Sequence, residues 1–138
     1  MQQALGQARL ALAAGEIPIG AVVVLDNQVI GRGHNQTERL HDVTAHAELL
    51  ALTAAANFLG NKYLTNCTLY VTVEPCVMCA GASYWSQLHA VVFGSEELKH
   101  GFRRHEPGLL HPRTKLVAGV LADDCANLMR DFFNLMRK

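Results

Sequence analysis

Between Thr68 and Ser86 the chain passes from the β-branched run TLYVTV through Glu74-Pro75 into a helical segment, with no loop between them. Proline cannot donate to a strand ladder, yet its φ suits the first turn of a helix, so Pro75 ends one element and opens the next. A strand that feeds a helix directly is the unit from which layered α/β folds are built. This junction predicts a strand over Thr68–Val73 and a helix from Cys76 to about Ser86.

The flanking sequence extends the pattern. Ala4, Leu5, Ala8, Ala11 and Leu12 recur at helical spacing before Gly15 and Pro18, which predicts an N-terminal amphipathic helix. Gly20 to Leu25, the turn Asp26-Asn27 and Val29 to Gly33 predict an antiparallel hairpin. The polar stretch Asn35 to Val43 predicts a surface loop, after which Thr44 is expected to N-cap a helix from Ala45 to about Phe58, closed by Gly60-Asn61. His89 to Phe93 and Lys115 to Ala118 read as short strands around a long polar segment. A last helix is expected from Asp123-Asp124 through Leu128, Phe132 and Leu135. Interleaved helices and strands imply an α/β chain: a three-layer α/β/α sandwich around a mixed sheet of about five strands.

Length agrees with one domain over residues 1–138. At 50% apolar and 17% charged residues, such a chain buries about two thirds of its unfolded surface. Its longest apolar run, Gly20 to Leu25, is far shorter than the roughly 20 residues of a membrane span, and no signal-peptide pattern opens the chain, so a cytoplasmic location is expected. Twelve basic and twelve acidic residues cancel, which offers no overall attraction for nucleic acid. Their distribution is uneven, with eight of the basic residues beyond residue 98.

Two of the four cysteines stand as Cys76-x-x-Cys79, and His46-Ala47-Glu48 precedes them, with 29 residues between His46 and Cys76. One imidazole and two thiolates suit tetrahedral zinc, one ion per chain, and a fourth position with no protein ligand marks a catalytic centre and not a structural one. Cys76 and Cys79 face one side of a helix's first turn, where positive partial charge stabilises thiolates. Glu48 is two residues from His46, and in a first turn both can reach one site off the helix end. A carboxylate there can take a proton from water and deliver it to a substrate. Cys-x-x-Cys alone also fits redox or structural metal chemistry; His-x-Glu followed by Pro-Cys-x-x-Cys is a zinc-deaminase signature. Cys67 and Cys125 lack ligand spacing and are expected to be buried as small apolar residues.

Gly15-Glu16-Ile17-Pro18-Ile19-Gly20-Ala21-Val22, Asn35, His41-Asp42 with Thr44 to Glu48, TLYVTVEPCVMCAGA from Thr68 to Ala82, Val91 to Gly94, and Gly119 to Asp123 with Cys125 resemble the bacterial tRNA adenosine deaminases of the cytidine deaminase-like superfamily. The resemblance touches nearly the whole chain. It implies Glu48 as the proton shuttle, His46, Cys76 and Cys79 as zinc ligands, and Asn35, Pro18, Ile19 and Ala47 at the substrate. It further implies conversion of adenosine to inosine at the wobble position of a tRNA anticodon stem-loop, and a homodimer. Departures lie where RNA would bind. Ser95-Glu96-Glu97 replaces a basic-acidic pair, the following loop is shorter, Asn134 stands where Arg is usual, and the sequence ends at Lys138 without a longer basic tail.

Two other readings stay open on the sequence. The same chemistry could serve a small free base or nucleoside such as guanine, cytosine or a related heterocycle, or the chain could be a silent zinc-stabilised partner subunit. Arg103, Arg104, Arg113 and Lys115, with His100, His105 and His111, could form a basic rim for phosphates or a solvated loop. Tyr84 and Trp85 are expected in the core or in a dimer interface, with stacking on a base as the alternative.

Overall fold

A computed structural model describes residues 1–137; Lys138, at which the sequence ends the last helix, lies outside them. Helix α1 (Gln2–Ala13) is followed by the hairpin β1 (Gly20–Leu25) and β2 (Gln28–His34). Then come α2 (Ala47–Leu59), β3 (Thr68–Val73), α3 (Val77–Ser86), β4 (Ala90–Ser95), β5 (Lys115–Val117) and α4 (Ala122–Met136). The five strands form one mixed sheet in the order β2-β1-β3-β4-β5. β1 runs antiparallel to β2 and β3, and β3, β4 and β5 run parallel to one another. The hairpin turn is Asp26-Asn27, both at positive φ (50° and 62°), the geometry that matches the twist of paired strands.

Helices cover both faces, as the alternating strands require. Ala21 and Val23 of β1, Leu69 and Val71 of β3, and Val91 and Phe93 of β4 pack with Ala47, Ala51 and Ala55 of α2 in the main core. Gly20 and Gly94, of opposite parity, meet α1 and Cys125 of α4 on the other face. The three-layer sandwich is therefore the observed architecture. α2 sits close on β2 because Gly31 and Gly33 have no side chains: a Cβ on Gly33 would lie 2.3 Å from the carbonyl oxygen of Ala47. That contact sets the height of the start of α2 above the sheet.

Several boundaries differ from the sequence expectation. α2 begins at Ala47, with His46 as its N-cap. Thr44 does not cap it, because its hydroxyl and its N–H both donate to the carboxylate of Asp42 (2.7 and 2.8 Å) in a local turn. β4 runs two residues further than expected, to Ser95, through its pairing with β3. The segment after it contains a short 3-10 turn, Phe102–Arg104, that plants Phe102 in the interior. Trp85 is 75% exposed and Tyr84 is also exposed, so neither belongs to the core. Cys67 and Cys125 are buried as small side chains.

Candidate active site

The carboxyl ends of β2, β3 and β4 meet at one edge of the sheet, the place where open α/β sheets form ligand crevices. A cavity of about 880 Å³ opens there. Its walls come from Ile17 and Ile19 before β1, Asn35 and Thr37 after β2, Val73 at the end of β3 and Glu74 after it, and Met129 and Phe133 of α4. His46, Ala47, Glu48 and Cys76 also border it.

Two helix starts bring the motif residues together. Cys76 is the N-cap of α3, as His46 is of α2, and both have extended backbone there. An N-cap side chain projects beyond the helix end, so imidazole and thiol leave their helices toward a common point. His46 Nδ1 stands 3.7 Å from Cys76 Sγ and 3.4 Å from Cys79 Sγ, and the three ligand atoms lie within 4.8 Å of one another. Zinc bonds of about 2.0 Å to nitrogen and about 2.3 Å to sulfur, at tetrahedral angles, require a nitrogen-to-sulfur separation of about 3.5 Å. The donor set fits that ion in type and in spacing.

Electrostatics separates the ligands and the carboxylates. A hydrogen bond with Cys79, reinforced by His46 and opposed by burial, draws the Cys76 thiol down to about 4. Its partnership with Cys76, then burial, pushes Cys79 up. The hydrogen bond with Cys76 raises His46 against the effect of burial. Metal binding would displace the thiol protons, since cysteine ligates as thiolate.

Two buried carboxylates border the cavity and are driven apart. Burial pushes Glu48 up to about 7, into the range where it can both accept and release a proton. Burial also works against ionised Glu74, but hydrogen bonds from the Arg103 side chain and from the backbone of Arg103 and Glu97 prevail and hold it below its ordinary value. Such a split leaves one carboxyl able to exchange a proton near neutral pH and the other a fixed negative charge.

The residues expected at the substrate are not equally placed. Asn35 is buried at the cavity wall, and its N–H donates to the carbonyl of Ile19 (3.1 Å). Ile19 and Ala47 also border the cavity. Pro18 does not: it is fully buried, and its neighbour Ile17 takes the expected position. Arg103 is not a free cation of the rim, since its guanidinium is bonded to Glu74. Thr37, Met129 and Phe133 border the cavity without having been singled out by sequence. Met129 and Phe133 are four apart on α4, a spacing that also reads as core packing.

Residues 1–137 match the sequence pattern of the MafB19-like deaminases. Similar proteins include a tRNA-specific adenosine deaminase of Streptococcus pyogenes serotype M18 (strain MGAS8232), 41% identical over 143 residues that cover 100% of this chain and 90% of the relative. Among solved structures, one from studies of A-to-I editing by tRNA:A34 deaminases superposes with a TM-score of 0.86 at 37% identity, covering 93% of this chain and 96% of that one. A guanine deaminase from Bacillus subtilis is 38% identical, with a TM-score of 0.67, covering 79% of this chain and 68% of that one. The chain belongs to the family of the tRNA-specific adenosine deaminases and is a hydrolytic deaminase.

Proposed function

We propose that the protein converts adenosine to inosine at the wobble position of a tRNA anticodon stem-loop, with Glu48 as proton shuttle and one zinc ion held by His46, Cys76 and Cys79. What carries the reading is Glu48 itself: a buried carboxyl raised to about 7 by burial, which borders one cavity with His46 and Cys76 of the three-ligand cluster. When bound, zinc would act as a Lewis acid that makes water nucleophilic near neutral pH.

The reaction replaces the amino group at C6 of adenine by oxygen from water and releases ammonia. Glu48 takes a proton from the attacking water and passes it to ring N1, then takes the second proton from the hydroxyl now on C6 and delivers it to the departing amine, which leaves as ammonia. Asn35, buried beside Ile19, hydrogen-bonds the purine edge and fixes which ring carbon faces Glu48. Ile17, Ile19 and Val73 supply apolar walls against which the ring packs. An adenine inside a stack cannot reach such a depth, so the base is taken from a loop and flipped into the cavity.

The substrate is tested by measuring inosine in a synthetic anticodon stem-loop beside ammonia release from free guanine, cytosine, adenine and their nucleosides, using zinc-loaded protein. Inosine formation alone supports the proposal. Guanine turnover without inosine would replace it with the activity named for the Bacillus subtilis relative.

Among the described residues no helix is long and apolar enough to cross a membrane. A tRNA substrate would place the protein in the cytoplasm, which cell fractionation would check. A homodimer completes the reading, supported by the exposed Tyr84–Trp85 pair on α3, whose rings meet edge to face at 5.4 Å. Sedimentation velocity at micromolar concentration measures it.

A further inference from the structure

Glu74 is the last residue before Pro75 and Cys76, and its side chain is 1% exposed. Every bond recorded to its carboxylate comes from the segment that follows β4. The N–H of Glu97 donates to Oε1 at 3.3 Å, and the N–H of Arg103 to Oε2 at 3.2 Å. Arg103 adds Nε to Oε2 at 3.0 Å and Nη2 to Oε1 at 3.1 Å, the two-point grip of a guanidinium on a carboxylate.

The rest of the segment is built around that anchor. A Cβ on Gly101 would lie 2.5 Å from Cδ of Glu74, so only glycine lets the backbone pass so close. The N–H of Phe102 donates to the carbonyl of Pro75 at 2.9 Å, and its ring is fully buried. The guanidinium of Arg103 lies over the Phe93 ring, 4.8 Å from its centroid, and reaches Glu96 at 3.5 Å. Between these fixed points the chain turns outward, and Lys99, His100 and His105 border the cavity. The imidazole of His105 is itself within 3.2 Å of the carbonyl of Lys99.

From this arrangement we propose that Glu74 and Arg103 are a positioning pair that fixes residues 97–105 as one wall of the pocket, and that this wall sets affinity for a polynucleotide and not the chemical step. The proposal rests on the RNA reading of the site. Phosphate contacts position a nucleic acid on its protein, and Lys99 with its neighbouring histidines is where a phosphate beside the flipped base would meet this wall. A small free base would lie among Asn35, Ile19 and Glu48 and would not depend on it. Arg103 therefore acts through the loop that it holds, with its own charge already matched by Glu74 and Glu96.

Arg103→Ala, Arg103→Lys and Glu74→Gln are compared with the wild type by hydrogen exchange, zinc content and steady-state kinetics on an anticodon stem-loop. Arg103→Ala is expected to lose amide protection in residues 96–106 while the segments around His46 and Cys79 keep theirs. Its KM for the stem-loop should rise about tenfold, the loss of roughly one charge-assisted contact, with kcat within about twofold. Arg103→Lys keeps the charge without the two-point grip and should fall between. Unchanged protection, or a fall in kcat together with zinc, would overturn the proposal, the second by showing that the pair serves the metal ligands. Glu74→Gln, which keeps the shape and drops the charge, should repeat the Arg103→Ala pattern; a wild-type profile in it would also overturn the proposal. Should the wild type leave RNA untouched, the substrate reading fails, while hydrogen exchange still judges the clamp.

Discussion

His46 and Cys76 are the N-caps of two helices that arrive at the same edge of the sheet, and Nδ1 of the one lies 3.7 Å from Sγ of the other. Each cap is followed within its first turn by a second functional residue, Glu48 on α2 and Cys79 on α3. The ligand cluster is thus assembled from helix ends, where side chains leave the helix axis and the positive end of the peptide dipoles favours thiolate. Helix interiors contribute Met129 and Phe133 of α4 to the cavity wall, but none of the three ligands.

Replacing Glu48 with glutamine should reduce turnover by about 100- to 10,000-fold, the range for loss of a positioned general acid–base. Zinc measured by elemental analysis should stay near one per chain, because Glu48 is not among the ligand atoms. Zinc loss in this variant would contradict its role as proton shuttle.

Cys79→Ser is expected to lose both metal and activity, and a strong chelator should produce the same state in the wild type. Metal binding to Cys and His ligands contributes folding free energy directly, so the chelated protein should melt at a lower temperature than the zinc-loaded one. Full activity in zinc-free protein would exclude the metal assignment.

Gly33→Ala should destabilise the fold by about 1–3 kcal/mol, the usual cost of forcing a methyl group into a packed contact. The added Cβ must push Ala47 away, and with it the start of α2. Loss of stability in thermal melts should therefore come with weaker zinc affinity, whereas Gly81→Ala, which meets nothing within 4 Å, should leave zinc affinity as it was.

The Asp42 carboxyl is held below its ordinary value of 3.8 by the hydroxyl and then the N–H of Thr44. A depressed pKa means that the turn's contribution is present above the unfolded value and is lost as pH falls through the folded one. NMR titration should place the Asp42 midpoint below 3.8. Thr44→Val should move it upward, while the remaining backbone bond keeps it from full recovery.

Local signals in the sequence were enough to determine the hairpin and the strand-to-helix passage at Pro75, where steric and hydrogen-bonding preferences act before any tertiary contact forms, and the alternation of elements gave the layered α/β fold. The expected ligands His46, Cys76 and Cys79 fall in one cluster, and Glu48 borders the same cavity as His46 and Cys76. The start of α2 at His46 differs from expectation for a local reason, since Thr44 bonds to Asp42 two residues earlier. Tertiary structure alone decided that Ile17 and not Pro18 faces the cavity, and that Met129 and Phe133 close it from α4. Arg103 shows the reason most plainly. A guanidinium in a polar loop carries no local mark of its partner, and only the parallel pairing of β3 with β4 brings it to a carboxylate 29 residues earlier in the chain.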